Sequence, residues 1–280
     1  MTYKEALKEK GFYVSESDIN DLGKDTFTAI EGSTFLFCTQ GMSTLEVNMM
    51  EYTLRTNCYI TIPDDSLVKV TARSDDFSCI RLVYSKEIGL SASVGMNMDT
   101  MQRIFLHPFI QLTDSTIISM FVHLLGILSD YNKMPNFTHH SDFVTGIIRN
   151  LFLAVADVSA AMRSEAPQSS VFTTADSYFI NFIKLLNEHC CQQHDVAFYA
   201  DKLNITPKYL NEIARKTANR TAKDIISKFI VARIKRELLI SGNSVQRIAY
   251  DFNFCDQSSL GTFFKKATGM SPVAFRHSHQ

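Results

Sequence analysis

Between Thr34 and Ser85 apolar and polar residues come in short runs, "TFLFC", "STLEVNMMEYTLR", "NCYITIP", "LVKVTARS" and "FSCIRLVYS", separated by the breaks "QGMS", "TN", "PDDS" and "SDD". Leu45, Val47 and Met49 repeat every second residue, as do Val68, Val70 and Ala72, which is the period of a strand with one buried face. Strands this closely spaced, over about residues 27–90, predict a small sandwich or barrel. After Gly95 the period lengthens. "DTMQRIFLHPFIQL", "DSTIISMFVHLLGILSDYNK" and "THHSDFVTGIIRNLFLAVADVSAAMRSE" place apolar residues at helical spacing behind an Asp or Ser, predicting helices over about 99–163. Along the last of these, Phe143, Ile147, Leu151, Ala154 and Val158 form an apolar row, suited either to covering the strands or to a helix of a second chain. "RSEAPQSS" is small, polar and interrupted by Pro167, the composition of a linker. The expected division is a first domain over 1–163, a linker over 164–171 and a second domain over 172–280.

From Thr173 onward seven short helices fit, with stops at "NITP", "TANR", "SGNS", "FNFCD" and "TGMSP". The longest, Ala222 to Ile240, carries Ile225, Ile226, Phe229, Ile230, Ile234 and Leu238 on one side, with Lys223, Lys228, Arg233 and Lys235 elsewhere. On either side of it the same pattern occurs, first as "HDVAFYADKLNITPKYLNEIARKTANRTA" (His194–Ala222) and then as "SVQRIAYDFNFCDQSSLGTFFKKATGMSP" (Ser244–Pro272). In the second copy Ile248 and Ala249 begin an apolar stripe, Asn253 ends the helix, Phe254 fills the corner and Asp256 sits at an N-cap. Leu260, Phe263 and Phe264 then face inward, leaving Gln257, Ser258, Gly261 and Thr262 outward, with Lys265 and Lys266 at the far end. In the first copy Val196 and Ala200 lie on the supporting helix, Leu203 and Ile205 at the corner, Thr206 at the N-cap and Pro207 at the first helical position. Leu210 and Ile213 face inward; Lys208, Tyr209, Asn211 and Glu212 face outward.

Each copy is a helix-turn-helix, and the second helices align fifty residues apart, Leu210 with Leu260, Lys216 with Lys266 and Thr221 with Ser271. Two such helices ~34 Å apart enter successive major-groove turns on one face of a duplex. Amide, hydroxyl, Lys and Glu side chains pair with base edges there, and the different outward faces imply an asymmetric site. Arg215, Lys216 and Arg220 in the first copy, and Lys265 and Lys266 in the second, are placed for phosphate.

Charge supports this division of labour. Residues 1–170 hold 13 Lys+Arg against 20 Asp+Glu, a net of -7, and residues 171–280 hold 15 against 9, a net of +6. A basic half joined to an acidic one favours a polyanion partner for the former. The six cysteines show no CxxC spacing suited to zinc or redox chemistry and read as reduced packing residues. "MTYKEALKEKGF" lacks the apolar core of a signal peptide, and the longest uncharged stretch, Ser115–Ser129, is shorter than the ~20 residues that span a bilayer. A cytoplasmic protein without a membrane partner is expected.

The residues "LNITPKYLNEIARK", "ARIKRELL" and "IAYDFNFCDQSSLGTFFKKATGMSP" resemble the C-terminal domain of AraC/XylS-type transcription regulators, over about Val171 to Gln280. The resemblance implies base contacts by Lys208, Asn211 and Glu212 in the first unit and by Gln257, Ser258 and Thr262 in the second. Asn253 stands where that family commonly has Gly before Phe, and Asn219 where it commonly has Gly after Thr-Ala. Both positions need a positive φ, and Asn is the non-Gly residue that best tolerates one. Ala214 replaces a Phe that usually packs beneath the first reading helix.

The same resemblance implies an α+β multidomain protein. Its N-terminal part would be a cupin-like β-barrel with following helices that bind a small effector, dimerise or both, and its C-terminal part an all-α domain with two helix-turn-helix units. A transcription activator that meets RNA polymerase, with no cofactor, is the implied function. The competing reading is a cupin-type small-molecule-binding or enzymatic protein with a secondary DNA-binding domain. Metal-dependent cupin enzymes need clustered His with a carboxylate, whereas all eight histidines lie outside the strand region, so no catalytic or metal residue is assigned. His139-His140 reads as a solvated helix start and Cys190-Cys191 as packing. Arg55, Arg73 and Arg81 read as outward charges of the sheet in preference to anchors for an anionic effector, and Tyr52 and Tyr59 share that ambiguity.

Overall fold

Alternating side-chain direction on one strand explains how the first half of the chain is layered. The computed structural model describes residues 3–16, 19, 22–23, 26–96, 108–134, 138–165 and 174–278. The elements of the first half are α1 (Tyr3–Lys10), β1 (Phe12–Glu16), β2 (Thr28–Ala29), β3 (Ser33–Gln40), β4 (Met42–Val47), β5 (Met50–Arg55), β6 (Cys58–Ile62), β7 (Leu67–Arg73), β8 (Ser78–Tyr84), α2 (Lys86–Ser93), β9 (Phe109–Gln111), α3 (Ser115–Lys133) and α4 (His140–Glu165). Along β3, Phe35 and Phe37 join one apolar cluster while Leu36 and Cys38 join another. The same division runs through β6, where Tyr59 faces one way and Cys58, Ile60 and Ile62 the other. Because β3 is buried on both faces, it reads as an unbroken apolar run.

Two sheets follow from this, ordered β1-β8-β3-β6-β9 and β2-β7-β4-β5. β3 is antiparallel to both its neighbours, with Phe35 opposite Leu82 on β8 and Thr61 on β6. Leu45, Val47, Leu54 and Val68 of the second sheet pack against Leu36, Ile60 and Cys79 of the first. The other face of the first sheet is covered by Ile88 and Ala92 of α2, Phe121, Leu125 and Leu128 of α3, and Val144, Ile148, Leu151 and Val155 of α4. The ring of Phe121 is stacked on Phe35, Tyr59 and Phe37 at centroid separations of 5.9, 5.3 and 6.4 Å. Among the described residues one helical stretch, His140–Ala161, is long and apolar enough to cross a membrane by length and composition, and its apolar side packs on this sheet.

Several expectations are corrected here. The anticipated barrel is present as two facing sheets instead of one closed ladder. Strand structure begins at β1, before residue 27, and Lys86–Ser93 within the anticipated strand range is a helix, started by Ser85 Oγ accepting from the Ile88 amide at 3.3 Å. The helix anticipated over 99–112 falls partly on 97–107, outside the described residues, and Phe109–Gln111 is a strand paired with β6. Pro108 just before it cannot donate to a helix and suits a strand start. The run "STLEVNMMEYTLR" is two strands, with Asn48 and Met49 at φ 48° and 71°, the two left-handed residues of a tight hairpin turn.

Arg81 is 1% exposed and lies 5.2 Å over the Tyr3 ring, so it is a buried residue and not an outward charge; Arg55 and Arg73 are exposed. Tyr59 is a core residue. Of the expected row on α4, Leu151 and Val158 are buried and Ile147 and Ala154 pack partly against the same core, which also takes in Val144, Ile148 and Val155; Phe143 is 41% exposed. The linker expected over 164–171 lies largely outside the described residues, α4 itself running to Glu165.

By spatial grouping the chain divides into a unit of residues 1–26, 30–47 and 51–171 and a unit of 172–280 with 27–29 and 48–50. The second half is helical throughout: α5 (Thr174–His189), α6 (Val196–Lys202), α7 (Pro207–Ala218), α8 (Ala222–Ile240), α9 (Val245–Asp251), α10 (Gln257–Thr268) and α11 (Pro272–Ser278). Phe121→Ala removes the ring that three aromatic side chains of the first sheet share, and is expected to destabilise the protein by about 3–5 kcal/mol in denaturant titration. A loss below ~1 kcal/mol would show that α3 is seated by other contacts.

Candidate nucleic-acid interface

The two helix-turn-helix units, α6-α7 and α9-α10, close their turns with the same hydrogen bonds. The Ile205 amide donates to the Ala200 carbonyl at 3.0 Å, and the Phe254 amide to the Ala249 carbonyl at 2.9 Å. Asn204 and Asn253 hold the left-handed conformation, at φ 54° and 53°. Beyond that point the copies diverge by one residue. Ile205 leads directly to the cap Thr206, whereas Phe254 is followed by Cys255 before the cap Asp256. Ala200 therefore matches Ala249, forty-nine residues on, while Leu210 matches Leu260, fifty residues on.

Each reading helix is started and stopped by its own sequence. Thr206 Oγ1 accepts from the Tyr209 amide at 3.2 Å and Asp256 Oδ1 from the Ser259 amide at 2.7 Å, satisfying donors that a helix start leaves open. At the other end the Asn219 amide donates to the Arg215 carbonyl at 3.0 Å and the Gly269 amide to the Lys265 carbonyl at 2.8 Å, with φ 50° and 82°. The positive φ expected at Asn219 and Asn253 is what the backbone adopts. Hydrogen bonds from the backbone amide and hydroxyl of Ser259 hold the Asp256 carboxyl below the usual carboxylate range. That negative cap offsets the positive end of the α10 dipole, and the exposed cations of the helix, Lys265 and Lys266, lie at its far end.

Leu210, Ile213 and Ala214 of α7 and Leu260 and Phe264 of α10 are buried. Lys208, Glu212, Arg215 and Lys216 on α7, and Gln257, Ser258, Thr262, Lys265 and Lys266 on α10, are exposed. Arg220 is half-buried. Asn211 departs from this set. Its side chain donates to the Pro207 carbonyl at 3.0 Å and accepts from the Ala222 amide at 3.0 Å, so both ends of the amide are used within the protein. Spacing alone cannot reveal this, since Asn211 sits on the same helical face as Lys208.

Three features escaped the sequence reading. Ser259 joins the exposed start of α10. A Cβ built on Gly261 would meet nothing within 4 Å, so the protein interior does not require glycine there. On the supporting helix α9, Tyr250 is 75% exposed, with the Arg247 guanidinium 5.5 Å from its ring centre.

α8 joins the units and is tied to both. Thr221 and Asp224 form a capping box at its start, beside the bond from Ala222 to Asn211. At its end Arg276 of α11 donates to the carbonyls of Leu238 at 2.8 Å and Asn243 at 2.5 Å, a cation supplied to the negative end of a helix. Lys235 lies over the Phe275 ring at 5.4 Å, and burial pushes its ammonium below the usual lysine range. The apolar side is wider than expected, and Arg233, anticipated elsewhere on the circumference, is 7% exposed and donates to Asn187 Oδ1 at 3.3 Å.

Residues 199–278 match the family described as "Helix-turn-helix domain". The raffinose operon transcriptional regulatory protein RafR of Pediococcus pentosaceus is 31% identical over 160 residues, a match spanning 56% of this chain and 56% of that regulator, little more than half of either. Among solved structures, ToxT from Vibrio cholerae has the same fold, with a TM-score of 0.50 at 13% identity over 96% of this chain and 98% of that one. An unsaturated fatty acid bound form of ToxT aligns with a TM-score of 0.50 at 14% identity, covering 95% and 94% of the two chains. Duplicated turns, capped reading helices and the match across both copies make residues 199–278 a double helix-turn-helix domain, the one that the resemblance to AraC/XylS-type regulators implied.

Proposed function

We propose that this protein is a sequence-specific transcription regulator, an activator, that sets α7 and α10 into successive major-groove segments of double-stranded DNA. The observation carrying this reading is the pair of reading helices, each with a buried apolar side, a polar exposed start and exposed cations near its end. Lys208, Glu212, Gln257, Ser258 and Thr262 are assigned to base edges, and Arg215, Lys216, Arg220, Lys265 and Lys266 to phosphate. Asn211 is assigned to positioning, because its amide holds the start of α8. Action in the cytoplasm and contact with RNA polymerase belong to the same reading.

Control is assigned to the N-terminal unit through a small effector, dimerisation or both. A cavity of about 180 Å³ there is lined by Ile62, Pro63, Leu90 and Phe152, with Lys86 and Ser33 among its polar residues. An apolar-walled space with a few polar groups is what small-molecule sites generally offer. The fatty acid held by ToxT is an amphipathic molecule of the kind such walls suit. Met120, Leu124, Ile127 and Tyr131 of α3 and Met134 just past its end recur at spacings of four and three, and Met120, Ile127 and Met134 are exposed, a seam that supports pairing with a second copy. The enzymatic reading is less favoured, because the curated relative that this chain matches is a transcription regulator.

Binding to a preferred duplex is expected to weaken steeply with salt, the logarithm of affinity falling by about 0.9 per neutralised phosphate for each logarithm of salt; affinity that ignores salt in a gel-shift titration would contradict the phosphate assignments. Gln257→Ala should cost ~1–3 kcal/mol at one base position and relax preference there, whereas Lys266→Ala should weaken specific and random duplexes alike. Equal losses on both kinds of DNA for both variants would remove the division between base and phosphate contacts.

A further inference from the structure

The loop between α5 and α6, which leads into the first helix-turn-helix, also touches the turn of the second. Gln192 Nε2 donates to the Asp251 carbonyl at 2.7 Å, and Asn253 Nδ2 donates back to the Gln192 carbonyl at 3.0 Å. Two residues further on, the His194 ring lies 5.0 Å from the Phe254 ring, which in turn lies 5.3 Å from Phe263 on α10. The loop is anchored on its own side as well. Tyr199 of α6 donates to the Gln193 carbonyl at 2.7 Å, Asp195 caps α6 through the Ala197 amide at 3.2 Å, and Lys223 of α8 reaches the His194 carbonyl at 3.0 Å. Burial pushes the His194 imidazole below its usual pKa, so at neutral pH the ring packs on Phe254 without charge.

Resting on the DNA reading proposed above, we infer that Gln192–His194 is a second strut between the helix-turn-helix units, and that Gln192, His194 and Asn253 are positioning residues that set the subsite spacing the protein accepts. The physical reason is mechanical. A single helix such as α8 fixes the distance between two bodies but leaves them free to rotate about its axis by bending and by small changes at its ends. A second attachment, away from that axis, opposes the rotation. Here it is made at the turn of the second unit, where Asp251 ends the supporting helix with an open carbonyl and Asn253 is held left-handed. A glycine at 253 would satisfy the turn and donate nothing to Gln192, so the asparagine contributes something beyond its φ.

Asn253 also supplies a clean test. Preferred duplexes are first selected from a random pool with the full-length chain, and one base pair is then inserted between the two subsites, rotating one against the other by ~35° about the duplex axis. The unmodified protein is expected to lose ~10-fold or more in affinity on insertion, about the effect of one wrong base pair. Asn253→Gly and Asn253→Asp, which keep a residue tolerant of the left-handed backbone but cannot donate, are expected to bind the uninterrupted duplex within about threefold of the unmodified protein and to shrink the insertion penalty to about threefold. Gln192→Ala should do the same. A full insertion penalty in all three variants, each with an unfolding transition like that of the unmodified protein, overturns the strut. If the unmodified chain enriches no sequence at all, the DNA-reading function falls and the strut with it. If sequences are enriched but the penalty is unchanged in the variants, only the strut falls.

Discussion

A helix cannot satisfy the backbone groups of its own ends, and in the second half of this protein that requirement ties the pieces together. The open amides at the start of α8 are met by Thr221, Asp224 and Asn211, the last of these from the first reading helix. Near its end the Leu238 carbonyl is met by Arg276, from the helix that follows the second. One rod thereby takes its caps from both of the bodies it joins. The first reading helix cannot shift along it without stripping Asn211 from the Ala222 amide, at a cost of the order of 1–3 kcal/mol for a buried group.

Asparagine is used repeatedly in this architecture for a conformation usually left to glycine. Asn204, Asn219 and Asn253 all sit at positive φ, and the short polar side chain makes that tolerable. Unlike glycine, asparagine also carries a donor and an acceptor. At position 253 the donor is used toward Gln192. Asn211, in ordinary helical conformation, spends both of its groups inside the domain. Polar residues on the exposed side of a recognition helix therefore fall into two kinds, those available to DNA and those already occupied, and only contact geometry separates them.

The first half is organised by a different constraint. A sheet buried on both faces must present apolar side chains in both directions, and β3 does so with Phe35 and Phe37 toward the helices and Leu36 and Cys38 toward the second sheet. Aromatic stacking between Phe121 and the sheet then seats α3. This arrangement leaves the Met120 and Ile127 side of α3 outward and places a small cavity beside Lys86. Both are surfaces through which the unit could be read by something outside the chain.

What was legible in advance was local. Helix starts at Thr206, Asp256 and Ala222, the left-handed stops at Asn219 and Asn253, and the inward faces of α7 and α10 follow from near-neighbour geometry and capping chemistry, which act over a few residues. The strand β9 and the hairpin at Asn48–Met49 were missed, because short apolar runs fit either period and the hairpin turn carries no glycine. Arg81 and Arg233 show the limit more sharply: a charged residue is expected outside, and whether an aromatic ring or an amide waits to receive it depends on segments far away in the chain. The amino-acid order alone determined that two helix-turn-helix units exist and where each begins and ends. Only the tertiary structure decided which exposed amides are already engaged, how the two sheets face each other, and that the loop at Gln192 grips the second unit, since all of these are contacts between residues that sequence distance leaves unrelated.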